Sequence, residues 1–208
     1  MALPSPWPTI HAERKALASD LESLTDDRWA TLSLCGGWTV REVLGHMTAT
    51  AAMTPPQFFA RLLGAGFRFN AMTAKAIAHE CEGTPADTLR RFRDQVDATT
   101  HPPGPVDTWL GETIVHSEDI RRPLGIAHDY PVDAVTRVVD SYRKSNLLIG
   151  GKKRVAGLTL RATDADWTAG TGPEVSGPAR AILLAVAGRG VAVDDLTGDG
   201  VATLRSRM

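Results

Sequence analysis

The sequence predicts an α+β protein, with a four-helix bundle over residues 1–150 and a small α/β module over residues 151–208. Three observations carry this reading. Apolar residues recur at helical spacing through most of the first part. After about residue 154 the texture changes, and Val155, Leu158 and Leu160 form a short strand-like run. Between the two parts, Ile149-Gly150-Gly151-Lys152-Lys153 reads as a short linker.

The elements follow in order. Ile10, Leu17, Leu21 and Leu24 give a first helix over about Thr9–Leu24, with Pro8 tolerated near its start. A second helix follows Gly36-Gly37: Thr39 is its N-cap, Glu42 completes a capping box, and Val40, Val43, Leu44 and Met47 form its apolar stripe. A third helical region runs from Pro55-Pro56 toward His79, weakened in its middle by Gly64 and Gly66. A fourth starts at Thr84-Pro85 and covers Leu89, Phe92 and Val96. The next spans about Pro105–Arg122 and is expected to stop before Pro123 and Gly125. Another covers about Pro131–Leu148, with Leu147 on its apolar face. In the second part Thr171-Gly172-Pro173 is a turn and Pro178–Val186 a helix. The end, Leu196–Met208, is compatible with a strand or a short helix.

Composition narrows the class. Of 208 residues, 43% are hydrophobic and 23% charged, as in globular proteins. Lys plus Arg number 23 against 24 Asp plus Glu, so no long-range field favours nucleic acid or an anionic membrane. The longest aliphatic run, Ala181–Ala187, is far short of the roughly 20 residues a membrane span needs. The start MALPSPWPTI carries no secretory pattern, and two cysteines, Cys35 and Cys81, exclude a disulfide scaffold. A cytoplasmic protein, monomeric or homodimeric, is expected.

Six histidines are present. His11, His79, His101 and His128 fall on termini, loops or helix ends and call for no special role. His116 lies four residues after Glu112, which puts both on one helix face, the face that also carries Trp109. Burying a carboxylate and an imidazole costs heavily unless they pair or bind metal. A Glu and a His one turn apart and aimed into a bundle make half of a divalent-ion site. His46, on the second helix, is placed to supply a third ligand. Two histidines and a carboxylate suit zinc, tolerate nickel, iron or manganese, and leave a position open, as catalytic sites do. Asp119 is a candidate to accept a hydrogen bond from a ligand histidine. The alternative is a Glu–His pair hydrogen-bonded at a helix contact. Cys35 and Cys81 read as buried structural cysteines, with nucleophile or fourth ligand the alternative for Cys35. Trp38 and Trp109 read as core anchors, and Arg121 and Arg122 as facing solvent or the helix dipole.

Two runs resemble a known family. Gly37-Trp38-Thr39-Val40-Arg41, followed after four intervening residues by His46, resembles one signature of the mycothiol-dependent maleylpyruvate isomerase-like family of the DinB/YfiT-like superfamily. Glu112-x-x-x-His116-x-x-Asp119-Ile120-Arg121-Arg122-Pro123-Leu124-Gly125 resembles another. The tail, with Gly188-Arg189-Gly190, is similar to the small C-terminal module of such proteins. The resemblance implies a DinB-like bundle, a divalent metal, usually zinc, held by His46, Glu112 and His116, and mycothiol as co-substrate.

A metal lowers the pKa of a bound thiol from about 8.5, so that thiolate is available at neutral pH. Addition to an electron-poor double bond, rotation and elimination would isomerise it; addition alone would conjugate it. A transferase or isomerase acting on a small electrophile is therefore the leading reading, with Arg189 the candidate catalytic group whose planar fork suits a carboxylate. A metal-dependent hydrolase, or a non-enzymatic metal- or thiol-binding protein, is the alternative.

Overall fold

Prolines and threonines mark most of the helix starts. The computed structural model describes residues 4–147 and 149–208. Met1–Leu3, on which the expected lack of a leader partly rests, and Leu148 lie outside the described residues. The chain folds as two compact units, Met1–His128 and Asp129–Met208. The division lies upstream of the Ile149–Lys153 seam read from the sequence.

In the first unit, α1 spans Trp7–Asp20, with Pro8 in its first turn. It ends short of Leu24, which still packs against the core. A single turn, α2, covers Asp26–Trp29. Helix α3, Val40–Ala51, begins at the expected capping box: Thr39 accepts the Glu42 backbone N–H, and the Glu42 carboxylate accepts the Thr39 N–H at 2.8 Å. The long third region is two helices, α4 at Pro55–Gly64 and α5 at Phe69–Glu80. Gly66 and Phe67, with φ of 61° and 60°, make the break. No residue of α4 is buried, and Phe59, Leu63, Phe67 and Phe69 are exposed. Helix α6, Pro85–Arg93, begins at another capping box, formed by Thr84 and Asp87.

Helix α7, Val106–Leu124, runs through Pro123 and ends at Gly125, whose φ of 66° supplies the left-handed cap. The expected stop before Pro123 is corrected. A proline in the last turn removes one helical hydrogen bond, the one its N–H would give the Asp119 carbonyl. That carbonyl instead accepts the Leu34 N–H at 3.1 Å, so nothing is left unsatisfied.

Helix α1 packs on α7, and α3 packs on α5, α6 and α7. Leu17, Leu21, Leu44, Met47, Phe92 and Ile120 are among the residues that fill the core between them. Arg121, read as facing solvent or the helix dipole, is fully buried, its Nε donating to Asp20 Oδ2 at 2.7 Å. Asp20 sits at the end of α1, so this pair joins the two helices.

The second unit opens with α8, Val132–Tyr142, shorter than the helix expected to reach Leu148. Leu147 is exposed rather than on an apolar face. The Gly-Gly-Lys-Lys seam is partly helical, as α9 at Gly151–Arg154. Strands β1 (Thr159–Ala162), β2 (Thr168–Gly170) and β3 (Glu174–Gly177) form a sheet in the order β2-β1-β3. β1 pairs antiparallel with β2 and parallel with β3, the latter in register Leu160 to Val175. Helix α10, Ala179–Val186, packs on the sheet and on α8. A 3-10 turn at Gly190–Asp195 follows, and the undecided tail forms a short helix, α11, at Val201–Arg205. Among the described residues no helix is long and apolar enough to cross a membrane.

Candidate metal centre

Almost the whole of α7 is buried, which explains how it can carry charge inward. Glu112, Glu118, Asp119 and Arg121 are all buried along it. The i, i+4 spacing sets Glu112 one turn before His116 on one face. Helix α3 packs against α7 and brings His46 to that face: the His46 and His116 rings lie 5.0 Å apart, edge to face at 82°. The Trp38 ring also lies against His46, at 5.2 Å. Trp38 therefore neighbours the candidate centre as well as packing on the core.

Asp119 is wholly buried, and its Oδ2 lies 2.8 Å from His116 Nδ1. The hydrogen bond expected from the sequence is thus present. It fixes the ring and leaves Nε2 as the nitrogen free to ligate.

The electrostatics suit a cation. Burial, reinforced by neighbouring His116 and opposed by Asp119, pushes His46 down from 6.5 to about 3, so it is a neutral donor at physiological pH. Burial pushes the Glu112 carboxyl up, against the opposing influence of His116 and Arg14. Neither Glu112 oxygen has a well-formed hydrogen bond, although both are buried. A buried carboxylate with no well-formed hydrogen bond, only the Thr113 hydroxyl nearby, is rare in a folded protein and calls for a partner. A divalent ion is a partner of the right charge and hardness.

Cys35, which the sequence reads as structural with nucleophile or fourth ligand as the alternative, lies beside His116 and Asp119. Among the described residues, donor atoms of Cys35, His116 and Asp119 all lie within 4.8 Å of one another. His46 and Glu112 stand outside this tighter group. The Cys35 loop is held by Cys35 N–H to Ser33 Oγ at 3.1 Å and Trp38 N–H to the Cys35 carbonyl at 3.0 Å. The Leu34-to-Asp119 bond ties it to α7. The sequence signal was Pro123: it leaves the Asp119 carbonyl in need of a donor from elsewhere in the chain.

Arg189 belongs to the second unit, where its Nη1 donates to the Ala187 carbonyl at 2.9 Å. Of the other histidines, His128 Nε2 meets Glu13 at 2.7 Å, and His11 and His101 pack against Trp7.

The sequence model described as the mycothiol maleylpyruvate isomerase N-terminal domain matches residues 10–108. The N-terminal unit belongs to this family. The matched stretch includes Cys35 and His46 and ends before Glu112 and His116. Two solved structures share the fold. A histidine-to-alanine mutant of the mycothiol-dependent maleylpyruvate isomerase is similar with a TM-score of 0.67 at 16% identity, covering 95% of this chain and 93% of that one. Another structure of the mycothiol-dependent maleylpyruvate isomerase has a TM-score of 0.55 at 13% identity, with the same coverages. No curated protein matches the sequence.

Proposed function

We propose that this protein is a metal- and thiol-dependent enzyme, a transferase or isomerase acting on a small electrophile with mycothiol as co-substrate. The observation that carries the reading is the buried Glu112 carboxylate without hydrogen-bond partners, one turn from His116, whose ring meets His46. His46, Glu112 and His116 would hold a divalent ion, and zinc fits two imidazoles and a carboxylate. Such an ion, when bound, makes thiolate available at neutral pH.

The chain's own groups do the rest. Asp119 holds the proton on His116 Nδ1 and so keeps Nε2 a donor. Burial keeps His46 unprotonated and ready to ligate. Trp38 shields one side of His46 from water. Arg189 is proposed as the second unit's carboxylate-binding group, since a guanidinium fork matches a carboxylate in two hydrogen bonds.

The test is elemental mass analysis of the purified wild type beside His46→Ala and His116→Ala. About one equivalent of divalent metal in the wild type, lost in both variants, is expected. A screen of thiols and electrophiles then asks for thiol-dependent turnover, which Arg189→Ala should weaken through KM for carboxylate-bearing substrates. A folded wild type that takes up no added metal would overturn the reading.

A further inference from the structure

Resting on the metal reading above, we infer that Cys35 is a fourth protein donor of the centre: its thiolate closes the position that His46, Glu112 and His116 leave open, until a low-molecular-weight thiol takes that position. The first ground is proximity. Cys35 Sγ lies within 4.8 Å of donor atoms of both His116 and Asp119. A nitrogen and a sulfur on one tetrahedral zinc ion lie about 3.6 Å apart, from bond lengths of about 2.1 and 2.3 Å. Cys35 is thus within reach of an ion held at His116, after a movement on the order of 1–2 Å. Asp119 is engaged by His116 Nδ1 at 2.8 Å, so in this cluster it positions the imidazole and Sγ is the additional donor.

The second ground is a buried acceptor that points to a cation independently of the cysteine. The Glu112 oxygens, one turn from His116, are buried without hydrogen-bond partners. The third is that the loop is anchored to the ligand helix itself. Leu34 N–H donates to the Asp119 carbonyl, and the Cys35 N–H and carbonyl are both used inside the loop, so Cys35 is held beside His116. Next to it Gly36 and Gly37 have open space where a side chain would begin, which leaves room for an incoming molecule.

Exchange of one thiolate for another needs no external acid or base. The incoming thiol gives up its S–H proton, and Cys35 takes one up on release. The protein would then rest with a closed centre, and a thiol would open it by substitution.

The test uses the full chain loaded with cobalt(II), whose absorption reports its ligands. With no added thiol, the wild type should show a thiolate-to-cobalt charge-transfer band. Cys35→Ser should lose that band while keeping one equivalent of cobalt and a native circular dichroism spectrum, and Cys81→Ser should keep the band. In parallel, zinc should slow maleimide alkylation of Cys35 in the wild type by at least about tenfold and leave Cys81 unaffected. This second measurement needs no variant to fold. Cobalt bound without a thiolate band, a band that survives Cys35→Ser, or equal alkylation with and without zinc would each overturn the role of Cys35 and leave the metal reading standing. Failure of the wild type to bind cobalt or zinc at all would overturn both.

Discussion

The Leu34 N–H donates to the Asp119 carbonyl at 3.1 Å, the acceptor that Pro123 leaves unbonded four residues later in the helix. One proline thereby joins the loop carrying Cys35 to the turn carrying His116 and Asp119. Removing the donor should show this. Leu34→Pro leaves a carbonyl without its partner and is expected to cost about 1–3 kcal/mol of stability, read from urea denaturation of the metal-free protein. Unchanged stability would mean that the bond does not hold the loop.

Acidification should destabilise the metal-free protein through His46. The folded state resists protonation of this ring until about pH 3, while the unfolded chain takes up the proton near 6.5. Its contribution is therefore present above pH 6.5 and is lost as pH falls toward 3. Between pH 7 and pH 5 the loss from this group should be on the order of 1–2 kcal/mol, and His46→Gln should abolish that part of the slope. Denaturation curves of both proteins at the two pH values check the sign and the size.

Glu112→Gln should separate folding from metal binding. It removes a buried carboxylate that lacks hydrogen-bond partners, so the metal-free variant is expected to be more stable than the wild type, by about 1 kcal/mol or more. The same change should abolish stoichiometric metal. Thermal unfolding with and without zinc reads both effects on one sample.

Asp119→Asn tests the positioning of His116. Losing the carboxylate that orients a ligand imidazole typically weakens metal binding 10- to 100-fold. Competition against a chelator should show that range, with His116 still present and the metal still bound at high concentration.

Close packing of α3 on α5 can be tested away from the centre. A Cβ on Gly45 would meet Cys81 Sγ at 2.8 Å, too close for a carbon and a sulfur. Gly45→Ala is expected to destabilise by about 1–3 kcal/mol, and Cys81→Ala should restore part of that loss in the double variant.

The sequence by itself determined the elements whose causes are local. Thr39 and Glu42 fix the start of α3 because a capping box closes within four residues. Glu112 and His116 share a face because helical spacing alone puts them there. The burial of Arg121 against Asp20 was not legible, and of the break between α4 and α5 only the weak spot at Gly64 and Gly66 was. The first needs a partner from another helix. The second turns on Gly66 and on Phe67, a residue type that seldom adopts positive φ. The third strand escaped for a similar reason: Glu174–Gly177 is a strand because β1 offers it a ladder, and four such residues do not announce one.

At the centre the same boundary holds. Helix periodicity and chemical type picked out His46, Glu112 and His116. Only tertiary structure decided that Cys35 stands beside His116, because a loop's position depends on which distant acceptor its backbone finds. Here that acceptor is the Asp119 carbonyl, freed by a proline that, by sequence rules alone, should have ended the helix.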